Sequence, residues 1–144
     1  MSVSKRLYWL LPIVALLVMG MGEMGLSGDD TPSRPSHNFT GTVTDRSLVS
    51  LHIIHIHCEG KTVIKAYLGE MTVKLPFEKI EKIDFYPGSS SHTFGNVQLR
   101  SGESKKMRFK STVRCYGDSE YGQIMVRVKD LKRIEFDAPP PDGD

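Results

Sequence analysis

Alternation of apolar and polar residues is the feature that most constrains how this chain can fold. It recurs in four segments, at positions 71–75, 97–100, 107–110 and 124–128. In each segment β-branched, aromatic or other large apolar residues occupy every second position, and the residues between them are charged or polar with the exception of Met125. Successive side chains of a strand point to opposite faces of a sheet, so this period of two predicts half-buried antiparallel strands.

Turn-forming clusters separate the alternating segments at a spacing of roughly 8–12 residues, which is typical of sandwiches and barrels. These clusters are at positions 59–61, 87–91, 101–103 and 117–119. No segment sustains an apolar stripe at helical spacing, and the closest, 77–83, has room for one helical turn before a strand. The sequence therefore predicts an all-β fold, a small antiparallel sandwich or barrel.

The N-terminus has the composition of a secretory signal peptide. Lys5 and Arg6 precede an apolar run at positions 7–19, and glycines follow the run. The run is short for a membrane span, which needs about 20 apolar residues. We therefore expect a signal peptide at 1–22, with an uncleaved anchor as the alternative, and a periplasmic or extracellular location.

Polar, proline-containing stretches predict a linker at 23–38 and a disordered tail at 138–144, on either side of a single β-domain at 39–137. The chain has 19 basic and 17 acidic residues; without Lys5, Arg6 and Glu23, 17 and 16 remain. This balance shows neither the basic stripe expected of a nucleic-acid binder nor a polybasic cluster for anionic lipid. We expect no nucleic-acid partner, and no membrane contact beyond a possible N-terminal anchor.

An internal repeat is visible within the domain. The segments 68–85 and 121–136 share an alternating strand and an ending in which Ile83-Asp84-Phe85 matches Ile134-Glu135-Phe136. This match predicts two related β-units, at about 39–86 and 94–137.

The two cysteines, Cys58 and Cys115, fall at matching places in that alignment. An even number of cysteines in an exported protein predicts a disulfide. Two buried free thiols that pack as small apolar groups are the alternative.

The segment 51–58, LHIIHIHC, is the one constellation with chemical possibilities. On a regular strand His55 and His57 point to one face, while His52, Ile54, Ile56 and Cys58 share the other, buried face. An H-x-H pair on a strand offers two imidazoles to zinc or copper, with a third ligand from His37, His92 or an acid such as Glu59. The alternative is that both imidazoles lie on a solvent face without a metal.

Familiar catalytic motifs are missing from the sequence, which has no G-x-S-x-G, no Gly-rich phosphate loop and no H-E-x-x-H. Asp84 and Glu135 match in the repeat but are expected to be outward and solvated. Tyr116 and Tyr121 are candidate interaction residues near a turn. We therefore expect a non-enzymatic exported module, without a cofactor, that binds a protein partner or assembles with itself. The alternative function is metal binding through His55 and His57.

Overall fold

A computed structural model of the chain describes residues 38–139, which form an all-β domain. The predicted signal peptide, residues 23–37 of the predicted linker and residues 140–144 of the predicted tail lie outside the described residues. The ten strands are β1 Gly41–Asp45, β2 Ser50–Cys58, β3 Val63–Leu68, β4 Met71–Pro76, β5 Ile80–Tyr86, β6 His92–Leu99, β7 Ser104–Lys110, β8 Arg114–Ser119, β9 Gly122–Arg127 and β10 Leu131–Phe136. Two 3-10 turns, Phe77–Lys79 and Val128–Asp130, precede β5 and β10. Between residues 38 and 139 no helix has the length and apolar character needed to cross a membrane.

All ten strands belong to one sheet, in the order β4-β3-β7-β6-β5-β10-β1-β2-β8-β9, and the sheet curls into a half-barrel. Every neighbouring pair is antiparallel. The all-β prediction is confirmed. It was possible because the period-two pattern of a strand lies in that strand's own residues.

The strand order is a palindrome. Each strand of the N-terminal half, β1–β5, has a counterpart five strands later in the C-terminal half, β6–β10. If the counterparts are exchanged, the same order results when the sheet is read from its other end. β5 and β10 meet at the centre, while the β3–β4 hairpin pairs with β7 and the β8–β9 hairpin pairs with β2. Each half therefore completes its sheet with a hairpin from the other half. This symmetry fits two related units, and the internal repeat itself stays a prediction.

The two 3-10 turns anchor the core in the same way. Phe77 and Val128 are fully buried, and their backbone N–H groups donate to the carbonyls of Thr62 and Val113 respectively. The turn at Phe77–Lys79 agrees with the single helical turn expected before a strand. Phe77 packs against Phe136 with ring centroids 4.8 Å apart, so the turns bury apolar surface as well as redirecting the chain.

The turn predicted at 117–119 is wrong, because all three residues belong to β8 and the reversal comes at residues 120–121. Gly117 serves close packing instead. A Cβ atom on Gly117 would lie 2.2 Å from Cγ2 of Ile53, so the neighbouring strand leaves no room for a side chain.

A disulfide joins Cys58 to Cys115. Cys58 ends β2, Cys115 lies in β8, and the two residues are directly opposite in the antiparallel register. The bond therefore connects the two halves. It is also compatible with the oxidising compartment of an exported protein.

The expectation that the cysteines occupy matching repeat positions is wrong. The registers of β3–β4 and β8–β9 are offset by 51 residues in sequence, so Cys115 corresponds to Ile64. Cys58 ends β2, whose counterpart is β7 rather than β8. The two cysteines matched in the sequence alignment are neighbours across the β2–β8 pair. They do not occupy equivalent positions in the two halves.

Reduction of the disulfide is expected to lower the free energy of unfolding by about 4 kcal/mol, because the bond closes a loop with a sequence separation of 57 residues. Urea unfolding with and without reductant measures this difference. The Cys58→Ala/Cys115→Ala variant is the control, since reductant has nothing to cleave in it. Equal midpoints for oxidised and reduced wild-type protein would contradict the expectation.

Candidate functional site

The histidine segment of β2 contains a β-bulge. Ile54 pairs with Asp118 and His57 pairs with Tyr116, so His55 and Ile56 together lie opposite Gly117. His55 takes a left-handed backbone conformation, with φ of 55°. A non-glycine residue in that region is uncommon, and bulges are frequent at sites where a side chain is redirected.

The bulge changes which residues of β2 are buried. Ile53 and Ile56 are fully buried, whereas Ile54 is 38% exposed and the His52 side chain is 60% exposed. The prediction that His52 and Ile54 share the buried face with Ile56 and Cys58 is therefore wrong. One extra residue in the strand shifts the alternation by one position, and the sequence pattern alone does not show where that happens.

Two hydrogen bonds hold His55 in the bulge. Its backbone N–H donates to Oδ1 of Asn38 at 2.9 Å, and its Nδ1 lies 3.1 Å from Oδ2 of Asp118. About a third of the His55 side chain remains exposed, so a protonated ring would form a partly screened ion pair with Asp118.

His57 is buried, and its ring stacks on Tyr116 with centroids 5.3 Å apart and an interplanar angle of 15°. Tyr116 and Asp118 are two positions apart on β8 and so share a face, which places His55 and His57 on that face as well. Tyr116 thus lies within β8 against a histidine rather than beside a turn.

Zinc or copper binding by His55 and His57 stays a prediction. Within residues 38–139 no group of three or more His, Cys, Asp or Glu side chains is arranged to hold a metal ion. Of the third ligands proposed, His92 contacts Tyr67 on another part of the sheet and Glu59 accepts the backbone N–H of Arg114. His37 lies outside the described residues.

Asp84 and Glu135, the matching acids of the repeat, do not form a carboxylate pair. Asp84 instead binds Nε of Arg133, its neighbour across the β5–β10 pair. The hydrogen bond from Arg133 to Asp84, followed by the Asp84 charge, raises the pKa of Arg133 above its ordinary value. This exposed ion pair joins β5 and β10 at the centre of the sheet.

Asp137 fastens the end of the domain to the outer side of β2. Its Oδ2 accepts a hydrogen bond from Thr40 at 2.7 Å and lies 3.0 Å from Nε2 of His52. Its carbonyl accepts from Arg100 at 2.7 Å. The hydrogen bond from Thr40, and then that from His52, lower the pKa of Asp137 below its ordinary value.

The β8–β9 hairpin carries the second interaction residue named from the sequence. Tyr121 lies in its two-residue turn and is 79% exposed, and Met125 on β9 is 49% exposed. β9 is the last strand of the sheet. Tyr116 and Tyr121 are therefore on one hairpin but in different environments, and Tyr121 is the accessible one.

An open cleft of about 510 Å³, which was not predicted from the sequence, lies between the β3–β4 hairpin and the segments that follow β2 and β7. Four lysines line it, Lys61, Lys65, Lys74 and Lys110. These lysines are far apart in the chain, and only the strand register brings them together. A search for runs of basic residues cannot find such a cluster.

Comparison with known proteins identifies a family for the chain. Residues 35–138 match the model of a protein family described as "Uncharacterised protein". Because the match covers well over half of the chain, the chain belongs to that family. Searches of curated proteins and of solved structures found no match.

Replacing Asp137 with Asn is expected to lower the free energy of unfolding at pH 7 by about 0.5 kcal/mol, a small effect because solvent screens this half-exposed carboxylate. The folded pKa is lowered, so the carboxylate's contribution is complete above the unfolded aspartate pKa of about 3.9 and is lost as the pH falls through the folded pKa. The difference between the wild type and Asp137→Asn should therefore shrink in acid. Urea unfolding from pH 7 to pH 3 measures it, with Glu120→Gln as a control in an exposed turn. A difference that is constant with pH would contradict this account.

Proposed function

We propose that this member of the family is an exported, non-enzymatic interaction module that binds a protein partner through the free edge of β9. The observation that carries the proposal is an unprotected edge strand beside the exposed side chains of Tyr121 and Met125. The disulfide supports a location outside the cytoplasm, because such bonds persist in oxidising compartments.

The edge of β9 is suited to accept another strand. Among the described residues β9 pairs only with β8, so its other side presents backbone N–H and C=O groups. From Gly122 to Val126 it has neither a proline nor a charged residue, and its one charge is Arg127 at the end of the strand. The opposite edge strand, β4, carries Lys74 and Pro76, which are typical devices against edge pairing. The two edges of the sheet therefore differ, and β9 is the open one.

The side chains next to this edge match those of protein interfaces. Met125 is unbranched and adapts to the shape of a partner, and Tyr121 combines an apolar ring with a hydroxyl group. Tyrosine and methionine are enriched at interfaces. In strand addition the backbone hydrogen bonds supply affinity, and side chains such as these supply specificity.

Proline substitution provides a direct test. In a hairpin with a two-residue turn the flanking pair, Ser119 and Gly122, is hydrogen-bonded, so the N–H of Gln123 points away from β8. Gln123→Pro removes that outward donor while sparing the β8–β9 ladder. Thr72→Pro is the matched control, because Thr72 occupies the corresponding position on β4.

The experiment captures partners from the native envelope or medium with wild type, Gln123→Pro and Thr72→Pro, and then measures the affinity of the recovered protein by interferometry. We expect Gln123→Pro to weaken binding at least about tenfold, as expected for the loss of a backbone hydrogen bond and its neighbours, and Thr72→Pro to bind like the wild type. Sedimentation of the wild type distinguishes a foreign partner from a second copy. Equal binding by all three proteins, or a monomer that captures nothing, would refute the proposal.

A further inference from the structure

One face of the sheet carries cations on three adjacent strands, β4, β3 and β7. Cross-strand neighbours share a face, and the register places Lys65 opposite Lys74, Tyr67 opposite Arg108, and His92 opposite Lys110. The outward positions of β4, β3, β7 and β6 thus include the five cations Lys65, Lys74, Lys106, Arg108 and Lys110. None of these outward positions carries an acid. We call this surface the cationic face.

The cleft described above lies in the cationic face. Its lining also includes Val63 and Val113, and Lys61 adds a further cation. The one acid in the lining, Glu59, accepts the backbone N–H of Arg114 at 3.0 Å. The local charge is therefore strongly positive, although the whole chain carries a formal charge of only +2.

The arrangement has an energetic cost in the free protein. Lys65 and Lys74 are exposed and directly opposite each other, and like charges in that position destabilise a strand pair. A bound anion would remove this repulsion. Along β7 the cations recur at every second residue, so their spacing is about 6.8 Å. This regular spacing suits a chain whose negative groups also repeat.

We propose that the cationic face binds an anionic polysaccharide, a chain of sulfated or carboxylated sugars, with one negative group in the cleft and others along β7. This activity goes beyond strand addition at β9 and uses a different surface. Lysine provides point charges without a fixed fork, which suits anionic groups in varied orientations. A cleft in a curved sheet also fits an extended chain better than a flat bilayer.

The aromatic residues favour a polysaccharide over a single-stranded nucleic acid. Nucleic acid needs open ring faces on which bases stack. Here Lys106 lies over Phe94 at 4.7 Å and over Tyr86 at 5.3 Å from the ring centroids, and Tyr86 and Phe94 stack on each other. Arg108 lies over Tyr67 at 5.6 Å. The rings are engaged in orienting the cations.

Fluorescence anisotropy with a labelled heparin-derived oligosaccharide tests the proposal on the full domain. We expect binding that weakens at least about tenfold when NaCl rises from ~50 to ~300 mM, as salt screens charges that lie on the surface. At a fixed salt concentration, Lys65→Gln/Lys74→Gln should bind about tenfold more weakly than the wild type, because two cations of the cleft are lost. Its melting temperature should equal or exceed that of the wild type, since a like-charge pair is removed.

The control variant is Lys129→Gln/Lys132→Gln, which removes the same charge from exposed lysines outside the cationic face. It should bind within about twofold of the wild type, because neither lysine belongs to the cationic face and solvent screens both charges. An equal loss in both double variants would overturn the proposal, because net charge alone would then explain binding. Tighter binding to an oligothymidylate of equal charge, or binding only to phosphatidylglycerol vesicles, would also overturn it. Gln123→Pro should bind the oligosaccharide normally, so this result and the β9 proposal can fail separately.

Discussion

The exchange of hairpins between the two halves is the constraint on which the rest of the structure depends. β2 obtains its outer neighbour from the C-terminal half, and β7 obtains its outer neighbour from the N-terminal half. Neither half can satisfy the hydrogen-bonding groups of these strands alone. The disulfide reinforces one of the two exchanged pairings and has no counterpart in the other. The pairing of β5 with β10 then joins the halves into one continuous sheet.

Two equivalent surfaces on this scaffold carry different chemistry. The offset of 51 residues in sequence places Tyr116 and Met125 where the other half has Lys65 and Lys74. The end of the sheet at β8 and β9 therefore presents histidine, tyrosine and methionine beside an open edge, and the end at β3 and β4 presents lysines around a cleft. The backbone positions are common to both halves, and the side chains on them decide what each surface can bind.

Local properties of the chain were predictable from the sequence, and properties that depend on register were not. Alternation predicted the strands, and the pattern before β5 predicted a helical turn, because each depends on neighbouring residues. The bulge at His55 was not predictable, since a positive φ is uncommon for any residue other than glycine and the alternating pattern does not mark where it occurs. Gly117 was assigned to a turn because the sequence does not distinguish a glycine required for close packing from a glycine required by a turn. The four lysines of the cleft come from separate parts of the chain. Neither the nearly balanced charge of the whole sequence nor any run of basic residues indicated that they would cluster.

The central position of β10 has a consequence for how the protein is made. This strand is the last of the ten in the part of the chain that the structure describes, yet it pairs with both β5 and β1 in the middle of the sheet. The sheet therefore cannot be completed until residue 136 is available, and four of its nine strand pairings join strands that are not consecutive in the chain. Such a topology folds slowly, because long loops must close before their contacts form. The two innermost strands, β5 and β10, are therefore joined only after almost all of the described residues have been made.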